Sequence, residues 1–145
     1  MINFSEYGIT MWDQKTIASF RLTLLDWYDR HKRQLPWRMT KDPYCIWVSE
    51  IMLQQTQVAT VIPYYQRFLE NFPDIASLAQ ADEERLLKAW EGLGYYSRVR
   101  NMQKAAQQIM TNFGGYFPTT HADILRLQGI GPYTAGAISS IAFDD

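Results

Sequence analysis

The sequence predicts an all-α protein folded as a compact helical bundle, and three observations lead there. Turn signals cut the chain into helix-length pieces, apolar residues recur within those pieces at three- and four-residue spacing, and no stretch keeps the strict alternation of a half-buried strand. The 145 residues, 47% of them hydrophobic, suit one helical domain spanning residues 1–145 with its own core, and no repeat or linker divides them.

Each element follows from local signals. Ile17, Phe20, Leu24, Trp27 and His31 lie on one face of an amphipathic N-terminal helix, which the basic segment from Lys32 and then Pro36 terminate. Asp42 as N-cap and Pro43 in the first turn open a helix from about Tyr44 to Gln55. The next runs from Val58 or Pro63 to about Asn71, with Pro63 in the first turn or at a kink. Asp74 and Asp82 cap two short helices, the second ending at Gly92, and Tyr95 to Asn112 forms a longer one closed by Gly114. Thr120 starts a short helix reaching Arg126, and Pro132 starts the last, to about Phe143.

Composition narrows the function classes. The single cysteine, Cys45, can close no internal disulfide and cannot supply the ligands of a zinc ribbon or an iron-sulfur cluster, so no metal site is expected within this chain. No stretch reads as a signal peptide or a bilayer span, which leads to the expectation of a cytoplasmic protein without a membrane partner. Net charge is only −1, but Arg30, Lys32, Arg33, Arg38 and Lys41 form a run without an acid, whereas Leu69 to Glu91 carries six acids against two bases. A basic and an acidic face are one reading of that asymmetry; solvated surface is the other.

Four segments could carry chemistry. From Tyr44 to Leu53 eight of ten residues are apolar, which buries the helix all round and leaves Ser49 and Glu50 as its polar members. A carboxyl in apolar surroundings keeps its proton near neutral pH and can act as an acid, unless Glu50 instead pairs with a nearby arginine. Gln54, Gln55, Thr56 and Gln57 follow with side chains that donate and accept, as reading a base edge demands, or as any polar helix end displays. Gly92-Leu93-Gly94-Tyr95-Tyr96 sets two aromatics on a glycine-flanked turn with Arg98 and Arg100 behind; such a tip could wedge a ring between bases while the arginines hold phosphates, or be a helix stop with core tyrosines. In Leu127-Gln128-Gly129-Ile130-Gly131-Pro132-Tyr133-Thr134 two glycines turn between helices and can aim backbone N–H groups at a phosphate, a site that needs no basic side chain. The competing reading is a turn that binds nothing.

At this hairpin, placed at about residues 120–143, the sequence resembles the helix-hairpin-helix DNA glycosylase superfamily, and Trp47-Val48-Ser49-Glu50-Ile51-Met52-Leu53-Gln54-Gln55-Thr56-Gln57-Val58 narrows the resemblance to adenine DNA glycosylases of the MutY type. Leu25-Asp26-Trp27-Tyr28, Leu35-Pro36-Trp37-Arg38 and Gly92-Leu93-Gly94-Tyr95-Tyr96 extend it over most of the chain. The resemblance implies the six-helix barrel half of that fold, and base-excision repair by hydrolysis of the N-glycosidic bond of adenine mispaired with 8-oxoguanine or guanine in double-stranded DNA. It implies Glu50 as the acid that protonates the leaving adenine and then assists water, and Tyr133 as support for the reacting nucleotide. Trp37, Arg38 and Leu53 fall in the adenine pocket; Gln55 and Tyr95 are inserted around the damaged guanine, with Gln54 and Thr56 beside them as DNA-binding residues; Gly129, Gly131 and Thr134 lie in the phosphate-binding hairpin, which in relatives also holds a monovalent cation. Bifunctional relatives carry a lysine just before the hairpin threonine, whose amine attacks the sugar; Tyr133 stands there, which implies base removal by water without strand cleavage.

Two parts of the family pattern lie outside this sequence. The second carboxylate follows the hairpin's second helix in the family, and Asp144 and Asp145 fall too early in register. The four cysteines of a 4Fe-4S cluster and the domain that recognises 8-oxoguanine are absent too. The expectation is therefore an N-terminal part of the catalytic module, inactive alone, from a nucleoid-associated enzyme. The alternative is a non-catalytic helix-hairpin-helix DNA-binding module.

Overall fold

The computed structural model describes residues 35–144. The N-terminal helix expected around Ile17 to His31, the basic residues Arg30, Lys32 and Arg33, and Asp145 lie outside them. The described residues form one 3-10 turn, Pro36–Arg38, and seven helices: α1 Pro43–Leu53, α2 Val58–Asn71, α3 Ile75–Gln80, α4 Glu83–Trp90, α5 Ser97–Asn112, α6 His121–Leu125 and α7 Pro132–Phe143. No strand occurs among them, so the all-α bundle is the observed fold.

The helix starts are set locally. Asp42 accepts the Tyr44 N–H at 2.9 Å with Pro43 in the first turn, Asp82 accepts from Arg85, and Thr120 accepts from Asp123. Asp74 and Ser77 close a reciprocal capping box at the head of α3. Three expected boundaries move. α1 stops at Leu53 rather than Gln55, and α4 at Trp90, two residues before Gly92 turns the chain at φ +96°. α5 starts at Ser97 rather than Tyr95, because Tyr95 takes the left-handed φ of +52° in the loop between α4 and α5. In α2 the earlier start holds, so Pro63 sits inside the helix.

α1 runs through the centre, with Ile46, Trp47, Val48 and Met52 buried; Ser49, also buried, donates its hydroxyl to Ile46 O at 2.7 Å. The aromatic core is edge-on: Trp37 meets Tyr65, Trp47 meets Phe117, and Phe68 meets Trp90. α5 packs along α3, and three glutamines join it to its surroundings. Gln103 donates to Ala81 O (2.7 Å), Gln107 to Ala79 O (3.2 Å), and Gln108 accepts the Gln128 N–H (2.7 Å) at the turn before α7. This places the α6–α7 hairpin against α5 and α7 against α1.

Candidate functional site

The end of α1, the loop before α5 and the start of α7 meet at one end of the molecule. Gln54 caps α1 and donates Nε2 to Thr134 Oγ1 across 3.3 Å. Glu50 lies one turn earlier on the same face, since residues four apart stack along a helix. Its side chain is half-buried; burial pushes its carboxyl above the ordinary range, and the positive charge of Arg38 pulls it partly back. The ion pairs formed among the described residues are Arg100 with Glu83 and Arg126 with Asp123, so Arg38 acts on Glu50 through space and does not pair with it. Glu50 therefore meets the requirement for an acid that holds its proton closer to neutrality than an exposed glutamate.

Of the pocket residues, Trp37 is buried with its ring against Tyr65, Leu53 is half-buried at the end of α1, and Arg38 is exposed. Gln55 is exposed and Thr56 half-buried in the turn after α1.

The hairpin is anchored by buried Leu127 and Ile130, and the Ile130 N–H returns to Leu127 O at 3.2 Å. Gly129 has φ +77°, and a Cβ there would stand 2.9 Å from Asn101 Cβ, so both conformation and space demand glycine. Gly131, at φ −93°, has open space where a side chain would go. The first intrahelical bond of α7 runs from Ala135 N–H to Gly131 O, which leaves the Tyr133 and Thr134 N–H groups without a helical acceptor at a positive helix end. Tyr133 is 82% exposed, whereas the Thr134 side chain is buried and turned toward Gln54. What Thr134 presents outward is backbone.

The glycine-flanked loop is fixed at its base: Tyr64 donates its hydroxyl to Glu91 O and Trp90 Nε1 donates to Gly94 O. Tyr95 projects from it, 63% exposed. The sequence reading of the arginines behind it as phosphate holders needs correction at Arg98. Arg98 turns inward, where burial lowers its pKa, and donates Nη1 to Ile51 O of α1 at 2.7 Å; Arg100 pairs with Glu83 at 3.3 Å. A small cavity of about 40 Å³ behind the site is lined by Trp47, Gln54, Arg98, Gln128 and Gly129. Trp47 Nε1 and Arg98 Nε and Nη2 are buried without a protein acceptor, and the cavity lined by these two residues has room for water. Asn101, against which Gly129 packs, is the site-building residue that sequence reading missed, and Arg98 is one that it named for a different role.

No group of three or more His, Cys, Asp or Glu residues able to hold a metal occurs among the described residues. Cys45, half-buried in α1, has its thiol pushed up to about 11 by burial and by Asp42, which does not fit a cluster thiolate.

The protein-family profile described as "HhH-GPD superfamily base excision DNA repair protein" matches residues 48–141. A protein of Buchnera aphidicola subsp. Baizongia pistaciae named adenine DNA glycosylase is 49% identical over 130 residues, 89% of this chain and 37% of that protein. The adenine DNA glycosylase of Rattus norvegicus is 48% identical over 141 residues, 91% of this chain and 27% of its own length. The chain thus spans about a third of the length of these curated relatives. The solved structure of a thermostable thymine-DNA glycosylase superposes with a TM-score of 0.74 at 28% identity, covering 88% of this chain and 59% of that one. A profile matched across α1, the Tyr95 loop and the hairpin, on the fold just described, assigns the chain: it belongs to the HhH-GPD superfamily of base excision DNA repair proteins.

Proposed function

We propose that this chain is the N-terminal part of the catalytic module of an adenine DNA glycosylase, which hydrolyses the N-glycosidic bond of adenine mispaired with 8-oxoguanine or guanine in double-stranded DNA. The observation that carries the proposal is the bond from Gln54 to Thr134, which joins the helix bearing Glu50 to the helix start that offers free N–H groups. An acid with a raised pKa and a phosphate site thereby face the same end of the molecule.

In this reading the hairpin grips the DNA backbone through the Tyr133 and Thr134 N–H groups, contacts that position a duplex without reading its sequence. Tyr95 enters the stack beside the damaged pair, Gln54, Gln55 and Thr56 line the end of α1 around it, and Trp37, Arg38 and Leu53 border the pocket for the extruded adenine. Glu50 donates its proton to the leaving base as the bond between sugar carbon and base nitrogen breaks. It then accepts a proton from the water whose oxygen bonds to that carbon, so the acid is restored. Tyr133 carries no amine, so no covalent link to the sugar forms and the product is an abasic site in an unbroken strand. Residues 127–134 hold no carboxylate; their carbonyl and hydroxyl oxygens suit a monovalent cation. The 4Fe-4S cluster would belong to the rest of the enzyme, because the described residues do not supply its ligands. Such an enzyme works at the DNA, in the cytoplasm at the nucleoid.

Single-turnover assays on a duplex with adenine opposite 8-oxoguanine test the proposal. The full-length protein excises adenine and leaves the strand intact, while residues 1–145 alone, which lack the second carboxylate in register, release none. Strand cleavage by the full-length protein, or robust release by the short chain, would overturn the corresponding part.

A further inference from the structure

Arg98 sits in the first turn of α5, yet its contacts all lie elsewhere. Its backbone N–H donates to Tyr95 O at 2.9 Å and its Nη1 to Ile51 O, in the last turn of α1, at 2.7 Å. The guanidinium carbon lies 5.5 Å from the ring centroids of both Trp90, which is fully buried, and Tyr95, which is largely exposed. Its other two nitrogens are buried without a protein acceptor, and the residue lines a cavity together with Trp47. One planar cation thus touches the helix of the acid, the core and the exposed ring.

Tyr95 needs such a partner. It is a non-glycine residue at φ +52° between Gly94, at φ +71°, and the start of α5, and it is 63% exposed. A ring on a glycine-flanked turn would otherwise sample many orientations, and each would have to be surrendered on entering a base stack.

We propose that Arg98 is a positioning residue that clamps the Tyr95 ring and tethers it to the end of α1, so that the ring entering the DNA and the acid Glu50 are held as one unit. The inference rests on the reading of Tyr95 as the inserted side chain. The guanidinium is suited to this because it stacks flat on a ring while its edge donates hydrogen bonds; lysine offers a point charge without the plane.

The test uses the full-length protein in parental form and as Arg98→Met, Arg98→Lys, Tyr95→Ala and the Arg98→Met/Tyr95→Ala double variant. In the free protein, amide hydrogen exchange of residues 93–97 rises about tenfold or more in Arg98→Met while the interior of α5 keeps its protection, and Arg98→Lys falls between. Affinity for a mispaired duplex falls in Arg98→Met and in Tyr95→Ala, and the double variant binds no more than about twofold weaker than Tyr95→Ala, because one acts through the other. Unchanged loop exchange in Arg98→Met, or losses that multiply in the double variant, overturns the clamp. Unchanged affinity in Tyr95→Ala overturns the insertion reading instead, and loop exchange still decides whether Arg98 holds the ring. If Arg98→Met does not fold, Arg98→Lys carries both readouts.

Discussion

Gln54 and Thr134, eighty positions apart in sequence, are joined by a 3.3 Å hydrogen bond from amide to hydroxyl that ties the end of α1 to the start of α7. The buried hydroxyl is occupied inside the protein, so Thr134→Val should lower stability by about 1 kcal/mol, the usual net worth of one hydrogen bond. Its backbone N–H is untouched, and DNA affinity should change less than about twofold. Thermal melting and fluorescence anisotropy on the same duplex check the pair; a large affinity loss at parental stability would place the hydroxyl on the DNA.

The two hairpin glycines should part company in a second pair of variants. Gly129→Ala forces a side chain onto a left-handed backbone against Asn101 and should cost about 1 to 3 kcal/mol. Gly131→Val meets open space at an ordinary φ and should leave stability within about 0.5 kcal/mol, yet it places bulk where the backbone approaches phosphate, so binding weakens. For residues 1–145 the parental dissociation constant should lie at about 10⁻⁴ to 10⁻⁶ M and weaken steeply with salt. Binding by Gly131→Val equal to the parent would make the hairpin purely structural.

Glu50→Gln separates acid from structural partner. In the full-length enzyme the chemical step should fall by roughly 10² to 10⁴, with DNA binding retained. The raised pKa also has a signed effect on stability. The folded protein favours protonated Glu50, so its contribution is complete below the unfolded value of about 4.3 and is lost as pH rises through the higher folded value. Glutamine suffers no such loss. The melting temperature of Glu50→Gln relative to the parent should therefore climb as pH rises from the unfolded value through the higher folded one, and then level off. A variant that melts well below the parent at neutral pH while excising adenine at the parental rate would instead mark a broken ion pair, worth about 3 to 5 kcal/mol.

Cys45 should be nearly inert. With its thiol at about 11, the thiolate fraction at about pH 8 is roughly two orders of magnitude below that of an ordinary cysteine, and alkylation should slow in proportion. Labelling of the native protein by iodoacetamide, compared with the protein in denaturant, measures the ratio; equal rates would mean an accessible thiolate.

What could be read from the sequence followed from how local the cause was. Asp42, Asp74, Asp82 and Thr120 cap the helices they were expected to cap, because a cap is decided within four residues. The apolar run around Glu50 announced a carboxyl in poor solvent. Tyr95 was taken into α5 because nothing in a tyrosine signals a left-handed turn, which it makes in the loop whose Gly94 is held by Trp90. Arg98 was read as a phosphate ligand because its inward course depends on Ile51, forty-seven residues away. Asn101 beneath Gly129 was equally invisible, a contact between α5 and the hairpin that no spacing records.

The glutamines of α5 carry a consequence for how the molecule responds to its medium. Gln103, Gln107 and Gln108 fasten the long helix to two neighbouring stretches, the end of α3 and the turn before α7, with neutral amides, where lysines or glutamates would have made the joints sensitive to ionic strength and acidity. The joints these amides make to residues 79–81 and to the hairpin turn are therefore insulated from salt, whereas the exposed Arg100–Glu83 pair that ties α5 to α4 weakens as ionic strength rises, away from the hairpin.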